Sequence, residues 1–391
     1  MNVEQCSIFL NDALAQSIGS KAIANSDLSN LVSVGNVIMS SSTDLDKFLG
    51  VLTDRIGKVV LRNLDLQVNY PNIIRNGFEF GAALEKISIQ PLQVQDNTAW
   101  EIGDVSYTPS QFAISKGACH VSIFRDVDTW KVRITIPDDL FKTAFTSASE
   151  MGAFIDGLIN SLTESMTLAL NRMNQTCINN FIAQKVNDDV NVVHLLAGYN
   201  LLTGQTYTAD DVMHDKEFYK YACQQILNQM RYMNEPNVCY NQPGTGIAPL
   251  VRRTARDNMH VFMLSEFFSG SEAYLSADTF HNELTAVNLP LFQPVTAWQD
   301  AWGNDGQGNK NDMPDFQSAS TINVKTVAGD SVNQDYIICA LIDREAVGTT
   351  MYDIRSSSVR NDEDGYTNLA QRATVGYFND FSEQGCVFVI D

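Results

Sequence analysis

No two cysteines in this chain stand in C-x-x-C spacing; Cys6, Cys119, Cys177, Cys223, Cys239, Cys339 and Cys386 are scattered singly. That pattern excludes a disulfide framework and a zinc ribbon, and leaves the thiols as small hydrophobes of a reducing compartment. No apolar run reaches the roughly 18 residues that a membrane-crossing helix needs. The opening Met1-Asn2-Val3-Glu4-Gln5 has no basic segment of the signal-peptide kind, so a cytosolic site of synthesis is expected. Basic residues are scarce as well: 26 Lys and Arg face 46 Asp and Glu, a net charge of −20. Such a surface repels phosphate backbones and anionic membranes unless its few cations are gathered locally.

Catalytic patterns are missing too. The five histidines (His120, His194, His214, His260, His281) show no H-x-x-x-H spacing, which removes the usual zinc reading. There is no G-x-S-x-G elbow to anchor a hydrolase triad. Gly244-Thr245-Gly246 lacks a third glycine and the P-loop lysine, and reads as a tight turn. The stretch Asp305 to Asp312 has the composition of a calcium loop, but Lys310 occupies the place of the required glycine and the bidentate Glu is absent. Asn174-Gln175-Thr176 matches a glycosylation sequon, but it falls inside a helical pattern and is read as coincidence. Neither an enzyme nor a bound cofactor or metal is expected.

What is present is one long amphipathic pattern. From Ser147 to Ile182, Met151, Phe154, Ile155, Leu158, Ile159, Leu162, Met166, Ala169, Leu170, Met173, Cys177, Ile178, Phe181 and Ile182 fall on one stripe of a 3.6-residue period. Ser147 with Glu150 reads as a capping box. At 1.5 Å per residue this rod is about 54 Å long, enough to cross a whole subunit.

Around it, residues 1 to 45 read as an arm with weak structure of its own, whose short apolar patches need a neighbour. Asp44 to Arg62 reads as a short helix running into a strand. Residues 72 to 115, broken by Gly77, Gly81, Pro91, Gly103 and Pro109, read as a two-stranded finger whose alternation slips at Pro91. Strands are expected at Cys119-Val121-Ile123 and Trp130-Val132-Ile134-Ile136. After the helix, Asp210 to Met233 reads as a helix, Met259 to Leu264 as a buried strand, and Ser271 to Asn282 as a short helix. Residues 299 to 334 read as a surface loop, and Tyr336 to Ile342 and Gly385 to Ile390 as buried strands. The fold class is α+β.

One basic cluster stands out: Arg252, Arg253 and Arg256. In an acidic chain these arginines are candidates for ion pairing, between subunits or within one, and the absence of interleaved aromatics speaks against nucleic-acid binding.

The order of parts resembles the major capsid proteins of tailed bacteriophages, with the Hong Kong ninety-seven type of shell fold. The local wording is similar to the short-tailed phi-twenty-nine-like group in Thr53-Asp54-Arg55-Ile56-Gly57-Lys58-Val59-Val60 and in Ile136-Pro137-Asp138-Asp139-Leu140-Phe141-Lys142-Thr143-Ala144-Phe145. It is similar again in Arg253-Thr254-Ala255-Arg256 with His260-Val261-Phe262, and in Val387-Phe388-Val389. The resemblance implies an N-terminal arm (1–55), an extended β-hairpin loop (73–112), an axial domain (191–371) and a peripheral domain (56–72, 113–190 and 372–391). A spine helix at about 147–183 would lie in the peripheral domain, which Val387-Phe388-Val389 would close. It further implies a virion shell protein that assembles with itself in hexamers and pentamers in the bacterial cytoplasm. The shell would enclose double-stranded DNA in an icosahedral or prolate head, without sequence-specific binding. A separate scaffolding protein and a portal protein are the partners implied, the former because no long charged N-terminal segment resembles a fused scaffolding region. Some relatives cross-link subunits through a finger lysine; Lys86 lies in the finger, but nothing marks partners for it. A nanocompartment shell of the encapsulin kind, or an acidic α+β enzyme with an unread site, are the alternatives.

Overall fold

The computed structural model describes residues 3–67, 69–74, 84–92, 117–125, 127–242, 248–276, 291–299, 316–325, 331–361 and 363–391. The finger beyond residue 92, the turn at Gly244 to Gly246 and the calcium-like loop lie outside them. In chain order the elements are α1 (Val3–Ser17), α2 (Leu31–Met39), α3 (Ser42–Gln67), β1 (Leu84–Ile89), β2 (Cys119–Phe124), β3 (Val127–Pro137), α4 (Asp138–Ala144) and α5 (Ala148–Asp188). There follow β4 (Val192–His194), α6 (Leu195–Thr203), α7 (Ala209–Val212), α8 (Lys216–Met233), β5 (Met259–Leu264), α9 (Ser265–Ser276) and β6 (Phe292–Val295). The last are α10 (Phe316–Ser320), β7 (Ile322–Lys325), β8 (Ser331–Gln334), β9 (Ile337–Asp343), β10 (Val347–Asn361), β11 (Tyr366–Asn379) and β12 (Gly385–Val389). The residues divide into two compact units, Met1–Gly81 with Asp126–Thr176 and Thr349–Tyr377, and Ala82–Arg125 with Cys177–Gly348 and Phe378–Asp391.

The long helix is longer than its pattern: α5 has 41 residues, about 60 Å at 1.5 Å per residue. Ser147 Oγ accepts the Glu150 N–H at 3.2 Å, the first half of the capping box. Its end comes where Asp189 takes a left-handed φ of 48°.

In the first unit, one buried cluster joins Cys6, Leu10 and Leu14 of α1, Leu31, Val34 and Ile38 of α2, and Phe48, Leu52 and Ile56 of α3. The α5 residues Met151, Ile155, Leu158, Leu162 and Met166 complete it. This corrects the reading of residues 1–45 as weakly structured. Their apolar patches recur every three or four residues, so they form helices whose faces find a partner in their own chain. Asn11 fixes the segment by clamping Ala24, donating to its carbonyl at 2.8 Å and accepting its N–H at 2.7 Å. The strand expected near Val59 is absent as well: nothing between Asp44 and Arg62 breaks a helix, and α3 runs on to Gln67. A three-stranded antiparallel sheet, order β10-β11-β3, covers this cluster, with Ile136, Leu369 and Ala373 facing it. The long strands β10 and β11 have no counterpart in the sequence reading, because the polar run Ser356-Ser357-Ser358 hides the alternation of β10.

In the second unit a mixed five-stranded sheet has the order β4-β12-β9-β5-β6. Every residue of β5, β9 and β12 is buried, as both faces of the sheet are covered. Val387-Phe388-Val389 therefore lies inside this sheet, between β4 and β9, and not in the unit that holds the first half of α5. The expected helix from Asp210 is two helices, parted where Asp215 caps α8 by accepting the Glu217 N–H at 3.0 Å. The helix expected at Ser271 begins earlier, at Ser265. The expected surface loop contains α10 and the β7–β8 hairpin, an ordering that Trp298 helps to fix. Its indole is fully buried and donates to the Ile337 carbonyl at 2.8 Å.

Candidate assembly interface

The strand expected beyond the finger, β2, instead pairs antiparallel with β1, so the two form the finger's stem, in the register Lys86↔Ser122, Ile87↔Val121, Ser88↔His120 and Ile89↔Cys119. Strand alternation gives this ribbon two faces. Turned toward the unit are Leu84, Lys86, Ser88, His120, Ser122 and Phe124; turned to solvent are Glu85, Ile87, Ile89, Cys119, Val121 and Ile123. Ile87 is 60% and Ile89 75% exposed, and Leu92 beyond them is exposed too. The ribbon is thus inverted, with its polar side inward.

The inward side is held by charge. Lys86 Nζ lies 2.8 Å from Asp380 and 2.9 Å from Glu383, and donates to the Glu345 carbonyl at 2.7 Å. The Arg252 guanidinium takes the same Glu383 oxygen and also donates to Ser88 Oγ at 3.2 Å and Ser382 Oγ at 3.1 Å. Two carboxylates and two cations therefore close a network around the turn before β12, and every member is at most half exposed. Burial pushes the Asp380 carboxyl up, but the Lys86 charge and the hydrogen bonds from Lys86 and Ser382 outweigh it and hold it below the usual carboxylate range. Beside it, burial raises the Asp343 carboxyl despite the Thr254 hydroxyl donating to it at 2.5 Å. Phe124 seats the other end of the ribbon on Phe378, ring centroids 5.3 Å apart.

Of the three arginines singled out in the sequence, only Arg252 enters this network, and its pairing is within the chain. Arg253 is exposed and turned to Asn234, donating to its carbonyl at 2.8 Å and its side-chain oxygen at 3.3 Å. Arg256 is exposed in a short 3-10 turn, Arg256–Asn258. Lys86 was visible as a finger lysine; Asp380 and Glu383 carried no signal, because they meet it only across 294 and 297 residues of chain (380 − 86 and 383 − 86). Among the described residues no three His, Cys, Asp or Glu side chains gather as a metal site, and no helix is long and apolar enough to cross a membrane.

The long helix, the ribbon and the mixed sheet recur in solved structures of phage particles, which share this fold. A chain in the capsid structure of Staphylococcus phage Andhra is 8% identical, with a TM-score of 0.55 over 83% of this chain and 84% of that one. A chain in the native bacteriophage P68 structure, which describes its head fiber and inner core protein gp22, is 9% identical, with a TM-score of 0.54 over 83% and 85%. No curated protein sequence matches. The model of the Phi29-like phage major capsid protein family matches residues 9–389, and the chain belongs to that family. It is a shell-forming head protein of a tailed phage, a structural component of the virion and not an enzyme.

Proposed function

We propose that the chain builds the hexamers and pentamers of a closed head by laying the outward face of its finger stem on neighbouring copies. The inverted ribbon carries this reading: Ile87, Ile89, Val121 and Ile123 point away from their own unit, whereas a solitary protein would turn them in. Covering each such side chain contributes about 1.5–3 kcal/mol, and a shell repeats the contact at every subunit. The network of Lys86, Asp380, Glu383 and Arg252 fixes the angle at which the stem leaves the subunit. Arg253 and Arg256 are the exposed members of the cluster, on the surface that neighbouring copies would meet.

In this reading the first unit corresponds to the peripheral domain and the second to the axial domain. Residues 349–377 then move to the former and the last strand to the latter. A separate scaffolding protein and a portal protein assist assembly. The head encloses double-stranded DNA without reading its sequence; the net charge of −20 supports this, since an acidic wall releases few counterions from the packaged polymer. The test is the double variant I87D/I89D. It should melt as the wild type does but yield no shells by sedimentation and electron microscopy. Normal particles from it would remove the stem from the interface.

A further inference from the structure

The three-stranded sheet of the first unit has an outer face whose charge is opposite to that of the chain. On β3, Trp130, Val132, Ile134 and Ile136 turn inward, which leaves Thr129, Lys131, Arg133 and Thr135 outside. On β11, Leu369, Gln371, Ala373 and Val375 are buried and Arg372 is exposed. The register places Arg372 directly opposite Lys131, and Arg133 opposite Ala370 on the same side. Three cations therefore share a small patch on the edge of a sheet, in a chain with 46 acidic and 26 basic residues. Among the described residues none of the three side chains makes an ion pair or a hydrogen bond; the nearby cation Arg360 is paired with Asp138 at 2.8 Å.

Like charges directly opposite each other on a ladder destabilise it. Lys131 and Arg372 hold that arrangement with no carboxylate between them, although carboxylates are the commonest charged groups in the sequence. Anions brought to this surface would relieve the repulsion that the ladder carries. We infer that this face docks a carboxylate-bearing surface of a second copy of the chain, a contact that rests on the shell-assembly reading above and adds to it a second, electrostatic interface. Charge complementarity favours that occupant. Copies of this chain surround one another in the shell, and each offers nearly two carboxylates for every basic residue. Arginine adds direction, as its planar fork accepts both oxygens of a carboxylate at once. Among the described residues β3 is an edge strand, and no further strand of its sheet shields the patch on that side.

The decisive variant is R372E, which converts the repelling Lys131–Arg372 pair into an attractive one within the subunit. We expect its subunit to melt at or above the wild-type temperature while the yield of shells falls at least tenfold, and R372K to assemble as the wild type does. In wild-type heads, a zero-length carbodiimide should join Lys131 to a carboxylate of another subunit, a link absent from unassembled protein and read by mass spectrometry. That second measurement stands even if R372E fails to fold. Wild-type yields from both R372E and the triple K131E/R133E/R372E would overturn the inference. So would normal shells that package less DNA, since the face would then serve nucleic acid. Loss of shells from the wild type and R372K alike would instead count against the assembly reading itself.

Discussion

Lys185 shows what a single buried charge does in this molecule. It sits near the end of α5 with its side chain fully enclosed, donating at 3.3 Å to the carbonyls of Phe381 and Glu383 and lying over the Phe181 ring. Burial drives its pKa down to about 8, while Asp188, Asp380 and Glu383 pull it back up. The unfolded chain thus binds the proton more tightly than the folded one between about 8 and the ordinary 10.5. The cost is fully present below about 8, and stability recovers as the pH rises through that window. Relative to K185M, the wild type should therefore gain up to about 3 kcal/mol between pH 8 and 10.5, at 1.36 kcal/mol per unit. Urea titrations of both proteins across that range would show it, and parallel curves would mean that the ammonium is solvated. This residue was not legible in the sequence, where a lysine near a helix C-terminus reads as a favourable end charge. The charge cost comes from burial, and the turn whose carbonyls the ammonium reaches lies 196 and 198 residues away.

The finger stem is the element on which the functional reading turns. Its two strands were legible in part, since Cys119-Val121-Ile123 alternates clearly, but alternation does not say which side is covered. That depends on the ion network. Lys86 is the only cation paired with Asp380 among the described residues, whereas Glu383 also has Arg252. Replacing Lys86 by Met leaves Asp380 buried and unpaired, which should destabilise the subunit by about 3 kcal/mol. The sign with pH follows from the lowered Asp380 pKa. The stabilisation is present above the ordinary carboxylate value and is lost as pH falls through the depressed one. The gap in melting temperature between wild type and K86M should therefore be full at pH 7 and close on acidification. A gap that persists at pH 2 would point to packing of the lysine stem instead.

Taken as a whole, the subunit behaves as a folded body that carries surfaces meant for copies of itself. The finger can be closed by a short turn, because the Gln90 N–H donates to the Ala118 carbonyl at 2.9 Å and so brings the two ends of the stem together. Replacing residues 93–116 by a short Gly-Ser turn should leave the melting temperature unchanged and keep the network at Lys86. Shells should no longer form, as judged by sedimentation. Particles of normal size from this variant would confine the interface to the stem and the basic sheet face. Acidity works at the same level: a net charge of −20 opposes close approach of subunits, a repulsion that the proposed apolar and cationic contacts would have to offset.

Period alone established the long helix and the buried strands β5, β9 and β12, and short matched segments in order carried the resemblance to phage shell proteins. Those features are local: a stripe repeating every 3.6 residues, or a run of consecutive apolar residues, marks an element wherever it lies. Tertiary structure decided which faces those elements present. It drew the N-terminal helices into the first unit's core and set the last strand into the second unit's sheet. It also turned the polar side of the finger stem inward and left Lys131, Arg133 and Arg372 together outside. Each of these outcomes depends on partners far apart in the chain, such as Lys86 with Asp380 or Lys131 with Arg372. The energy of such pairs exists only once the backbone has brought them within a few ångströms.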